Sequence, residues 1–97
     1  MNITKEKHDN VLTVSLEGRL DTTTAPQLES EMSDLSGVTD LTLDFAKLEY
    51  ISSAGLRVLL ATQKVMNKQG AMVIKNACDD IKEVFEITGF SDILTIE

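Results

Sequence analysis

Between Asp40 and Lys75 the period of the hydrophobic pattern changes twice, and this change narrows the possible folds more than any other feature. Asp40-Leu41-Thr42-Leu43-Asp44-Phe45 alternates, with Leu41, Leu43 and Phe45 on one face and Thr42 and Asp44 on the other, as a strand requires. From the serines at 52 and 53 onward, apolar residues return every three or four positions. Leu56, Leu59 and Leu60 share one side, Val58, Ala61 and Val65 lie round the next, and Arg57, Lys64 and Lys68 form a narrow polar stripe. Gln69-Gly70 closes this helix, and Ala71-Met72-Val73-Ile74-Lys75 reads as a further strand. A strand, helix, strand succession sets two parallel strands in one sheet with a right-handed crossover. The chain is thereby expected to be α/β.

The flanking segments extend the same pattern. Ile3–Lys7 and Val11–Leu16 read as strands joined through His8-Asp9-Asn10, an opening hairpin in which Leu12, Val14 and Leu16 share a face. Gly18-Arg19-Leu20-Asp21-Thr22-Thr23-Thr24 reads as a hydroxyl-rich loop entering a helix. There Thr24 and Gln27 fit a capping box, Pro26 sits in the first turn, and Ala25, Leu28, Met32 and Leu35 fall on one face. Gly37 ends that region. After the central unit, Asp80 with Glu83 repeats the capping-box spacing ahead of Ile81, Val84, Phe85 and Thr88. Gly89 is placed to end that helix, with Phe90 against Phe85, and Ile93–Ile96 reads as a last short strand. The expected order is ββαβαβαβ: a mixed, mostly parallel sheet of four to five strands with three to four helices. No repeat or linker interrupts it, so a single domain over residues 1–97 is expected.

Composition removes several classes of function. The net charge is −7, and the nine Lys and Arg residues are scattered, which disfavours direct contact with DNA or RNA. No window is apolar for long enough to span a membrane or to act as a secretory signal, so a soluble, cytoplasmic protein without membrane insertion is expected. Cys78 is the only cysteine, which leaves no disulfide framework and no thiolate metal cluster, and small apolar filler is its expected role. His8 is the only histidine and has no histidine or cysteine near it in sequence. With no nucleophile and base, no carboxylate pair, no Walker or dinucleotide glycine pattern and no metal set, neither an enzyme nor a cofactor is expected.

What remains is the junction of the central strand and helix, Tyr50-Ile51-Ser52-Ser53-Ala54-Gly55-Leu56-Arg57. One of the two serines should cap the helix, because a hydroxyl oxygen there satisfies otherwise unpaired N–H groups. A hydroxyl at that point also stands at the positive end of the helix dipole, where a phosphate would be tolerated. Gly55, without a Cβ, either leaves room for a partner to approach or lets the helix sit tightly on the strand. Phosphorylation there would add about 1.5 to 2 negative charges to an already acidic surface, enough to oppose a docked partner.

The segment Tyr50–Leu59, with Leu16-Glu17-Gly18-Arg19-Leu20-Asp21 before it, resembles the paired motifs of bacterial anti-sigma factor antagonists, the STAS-domain family. The resemblance spans essentially the whole chain and implies the STAS fold. It implies an unphosphorylated protein that binds an anti-sigma factor with serine kinase activity, frees a sigma factor, and is switched off when that kinase phosphorylates the serine two places before the motif glycine. Here that serine is Ser53. A phosphatase would reset the switch. By the same resemblance the partner-binding surface comprises Asp21, Thr22, Thr23, Ser52, Ser53, Gly55, Leu56 and Arg57. Ser52 stands where many members carry aspartate, and Ala54 where serine or threonine is common. The alternative implied role is a phosphorylation-independent STAS module that binds a nucleotide or a partner complex, such as part of a membrane transport or lipid-trafficking assembly.

Overall fold

The longest strand explains the rest. In the computed structural model, which describes residues 1–97, β3 runs from Asp40 to Ile51; its alternation holds to Phe45 and then, across the register shifts against β2, gives way to buried residues at every third position, Leu48 and Ile51. It lies between β2 (Val11–Leu20) and β4 (Ala71–Lys75) and is parallel to both. β1 (Asn2–His8) adds antiparallel to β2 through the tight turn at Asp9-Asn10, and β5 (Thr95–Ile96) adds parallel to β4. The sheet order is β1-β2-β3-β4-β5. Paired positions such as Leu12 with Leu41 and Val14 with Leu43 stack apolar side chains across neighbouring strands. These residues, with Phe45, Met72 and Ile74, are buried in one core with the helices. On the opposite face Thr13, Ser15, Thr42 and Asp44 remain half-buried. The α/β order expected from the pattern is the one observed.

Three helices complete the fold: α1 (Ala25–Glu31), α2 (Ser53–Asn67) and α3 (Asp79–Thr88), with a 3₁₀ turn at Phe90–Asp92. None is long and apolar enough to cross a membrane. α2 packs on β3, β4 and α1 and buries Gly55, Leu56, Val58, Leu59, Thr62, Gln63 and Met66. Leu60 is only half-buried, while Ala61 and Val65 are exposed. The buried hydroxyl of Thr62 donates to Val58 O at 2.8 Å, which lets a polar residue occupy an inward position.

Several local expectations are overturned. Gly18, Arg19 and Leu20 belong to β2, because the extension of β3 to Ile51 supplies them with a partner strand. The glycine that reads as a loop marks a register shift, with Gly18 at φ +111°. Neither capping box forms. Thr24 has helical backbone, φ −104° and ψ −19°, and its hydroxyl turns back to donate to Arg19 O and accept from Asp21 N, both at 2.8 Å. Gln27 reaches Met1 O instead. α3 begins two residues earlier than the Asp80–Glu83 spacing suggests, with Cys78 at the N-cap, so Asp79 and Asp80 lie inside the first turn, where their charges favour the helix dipole. Cys78 is exposed, and the core position beside it is taken by Ala77. The last strand shrinks to two residues because the 3₁₀ turn directs Leu94 N to Phe90 O. Gly89 does end α3 in the left-handed conformation, but the ring that Phe85 meets is Phe45, at 6.5 Å between centroids.

The crossover from α2 to β4 depends on a close backbone approach. Gly70 N closes the helix on Met66 O, and Ala71 N then bonds Thr39 O at 2.9 Å. A Cβ on Gly70 would lie 1.9 Å from Thr39 O, a backbone atom that cannot move aside. Gly70→Ala should therefore destabilise the protein by about 2 kcal/mol, within the usual range for overpacking. A urea midpoint equal to that of the parent protein would refute this account.

Candidate functional site

Two strand exits are fastened together at the carboxyl edge of the sheet. Leu20, the last residue of β2, pairs with Ile51, the last of β3, and the next amide, Ser52 N, donates to Leu20 O at 2.9 Å. The loop Asp21–Thr24 and the turn into α2 are consequently neighbours. Parallel strands place their ligand-facing loops at this edge.

The two serines take different parts. Ser52 is extended, φ −102° and ψ 174°, and its hydroxyl accepts from Gly55 N at 3.4 Å while its carbonyl accepts from Leu56 N at 3.0 Å. It is the N-cap, half-buried, with its oxygen committed to the helix. Ser53 is the first helical residue and its side chain is exposed. Of the two meanings open for Gly55, tight packing is the one realised. A Cβ there would lie 2.7 Å from Leu20 Cγ and 3.0 Å from Ile51 Cγ1. Leu56 is only 5% exposed and belongs to the core. Gly55 and Leu56 therefore support the surface from beneath, a correction to their expected place in it. Arg57 is exposed and makes no ion pair.

Asp21 is half-buried and organises its own loop. Its Oδ1 accepts from the Thr23 hydroxyl at 2.7 Å, from Thr23 N at 3.0 Å and from Thr24 N at 3.2 Å. The Thr23 hydroxyl does most to hold the carboxyl below its ordinary pKa, helped by the two backbone N–H groups and opposed by partial desolvation. Thr22 is exposed and lines a shallow groove of about 210 Å³ between α1 and α2, together with Ala25, Pro26, Glu29, Ala54, Arg57 and Val58.

Two residues of this edge lie within the motifs, which give them no role. Arg19 and Tyr50 are direct cross-strand partners, with the guanidinium 4.2 Å from the ring centroid and its Nε 3.9 Å from Asp21 Oδ2. Their signal in the sequence is their position, each one residue before the end of its strand, and it becomes readable only once both strands are known to reach that far. The largest cavity, about 340 Å³, lies elsewhere, on the open sheet face among Asn2, Thr4, Ser15, Glu17, Asp44 and Lys47. No three His, Cys, Asp or Glu side chains gather anywhere in a metal-holding group.

Fold and turn together define a small α/β unit whose distinctive surface is a pair of adjacent strand-to-helix exits. The STAS domain model matches residues 2–97, and the chain belongs to that family. It is 38% identical over 99 residues to BtrV of Bordetella bronchiseptica, provisionally named an anti-sigma factor antagonist, covering 99% of this chain and 85% of BtrV. It is 30% identical over 98 residues to the anti-sigma-B factor antagonist of Bacillus subtilis, covering 99% of this chain and 90% of that protein. The structure of the antagonist SpoIIAA in its unphosphorylated form superposes with a TM-score of 0.85 at 19% identity, covering 99% of this chain and 88% of SpoIIAA, a likeness of fold.

Two outcomes follow from the geometry. Gly55→Ala should displace the start of α2 or Leu20 and cost about 1 to 3 kcal/mol. Pairing it with Leu20→Ala should recover part of the loss, and a double-mutant cycle showing strict additivity would contradict the packing described. For Asp21, the bonds made by the ionised carboxyl are fully present above its unfolded pKa of about 3.9 and are lost as pH falls through the lower folded value. Thr23→Ala should move the Asp21 midpoint upward, toward that ordinary value, in a carboxyl-carbon NMR titration. An unmoved midpoint would remove Thr23 as the cause.

Proposed function

We propose that the chain is an anti-sigma factor antagonist. Unphosphorylated, it binds an anti-sigma factor with serine kinase activity through the serine turn and the Asp21–Thr23 loop, and so frees a sigma factor. Phosphorylation of Ser53 switches it off, and a phosphatase restores it. The observation that carries this reading is the division of labour between the serines: Ser52 spends its oxygen on the cap, whereas the Ser53 hydroxyl is free and exposed beside the loop of Asp21. The antagonist names of the relatives at 38% and 30% identity agree with it.

The physical basis is electrostatic. In the kinase reaction Ser53 Oγ would form a bond to the γ-phosphorus of ATP, lose its proton and release ADP, leaving about 1.5 to 2 negative charges on the first turn of α2. The helix itself accommodates them, since its N-terminal N–H groups and dipole favour an anion. A partner shaped to a neutral serine would not, and the protein as a whole is already acidic, with a net charge of −7. The chain acts as the substrate of a kinase and as a binding regulator, with no catalytic step of its own.

The test is intact-mass analysis after incubation with ATP and each purified serine-kinase anti-sigma factor of the source genome. One phosphate is expected on the parent protein and on Ser52→Ala, and none on Ser53→Ala. Ser53→Ala should retain binding, and the phosphorylated form should bind at least about 100-fold more weakly, a change of about 2.7 kcal/mol. No phosphate on the parent protein with an active kinase would abolish the phosphorylation switch in favour of a constitutive binding module.

A further inference from the structure

We infer that Arg57 is the positioning residue for the phosphate on Ser53, drawing it along α2 into an intrahelical ion pair. This rests on the reading of Ser53 as the phosphoacceptor and adds where the phosphate goes. Ser53 and Arg57 stand four residues apart in α2, and both side chains are exposed. Residues at that spacing lie one above the other, with Cβ atoms about 5–6 Å apart, and an acidic group N-terminal to a cation is the favourable order.

The choice between the two arginines of this edge follows from what each already does. Arg19 is engaged, its guanidinium over the Tyr50 ring at 4.2 Å and its Nε 3.9 Å from Asp21. Arg57 has no ion pair and no ring contact. Glu29 lines the same groove and is the competing anion, yet it does not pair with Arg57. A phosphate carries up to twice the charge of Glu29, is tethered one helical turn away, and presents three acceptor oxygens to the planar donor fork of arginine. The ionised Asp21 carboxyl of the neighbouring loop, already in contact with Arg19, would repel a phosphate and not hold it. Phosphorylation thus changes the surface twice over. It adds an anion at Ser53 and withdraws the one unpaired arginine of this edge from any acidic group a partner would offer.

The test uses the whole chain with phosphoserine installed at position 53 by genetic encoding, titrated by phosphorus NMR. The second phosphate pKa, ordinarily about 6, should be lower in the parent sequence than in Arg57→Gln by about half a unit, a threefold change in proton affinity. Arg57→Lys should fall between the two, since a lysine supplies the charge without the fork. The Arg57 Nε–H resonance should move through the same midpoint, and should stay fixed in Ser53→Ala. Equal phosphate pKa values in all three proteins, or an Nε–H signal indifferent to phosphate ionisation, would overturn the inference. Should Arg57→Gln fail to fold, the lysine variant and the Nε–H signal of the parent protein decide the matter alone. Because the phosphate is installed during translation, the result is independent of the kinase assay. A shifted pKa with no enzymatic phosphorylation would retire the switch and leave the ion pair, and the reverse outcome would do the opposite.

Discussion

The structure depends on one seam, the parallel pairing of β2 with β3 carried to its last residues. Leu20 opposite Ile51 buries two side chains, and the bond from Ser52 N to Leu20 O fixes where β3 stops and α2 starts. Gly55 then sits on both Leu20 and Ile51 so closely that no Cβ fits. The position of the Ser53 hydroxyl is therefore set by core packing, although the side chain itself touches little. A surface built this way is rigid underneath and polar on top, which would suit the proposed site, whose shape must persist until its charge is altered.

Charge is arranged at this edge with similar economy. The Asp21 carboxyl is held ionised by its own loop, chiefly through the Thr23 hydroxyl, and Arg19 is held between Asp21 and Tyr50. Both groups are fixed by neighbours a few residues away or directly across the strand pair. Against that fixed background the proposed phosphate on Ser53 would be a large perturbation, since local charge would change by about two units while the backbone beneath has no cause to move.

The chain's architecture was legible where periodicity is long and one-sided. The alternation from Leu41 to Phe45, the helix pattern after Ser53 and the run Ala71–Lys75 specify their elements because each buries one face, and the family motifs agree with them. Reading failed where a local signal competes with a tertiary one. Gly18 looks like a turn until β3 offers it a partner. Thr24 looks like a cap until its hydroxyl finds Arg19 O, and Asp80 looks like a cap until Cys78 starts α3 before it. In each case a backbone partner outside the local motif, or a helix start two residues earlier, outweighs a preference of about 1 kcal/mol.

By itself the sequence determined the strand and helix order, the apolar face of most elements and the pair of serines at the head of α2. Those properties follow from side-chain chemistry repeated along the chain. Tertiary structure alone decided which serine caps and which is free, that Gly55 and Leu56 lie beneath the surface they were expected to form, and that Arg19 is spent on Tyr50 while Arg57 is not. These outcomes turn on distances between residues far apart in sequence. A hydroxyl, a glycine or a guanidinium has the same chemistry in either role until its neighbours are in place.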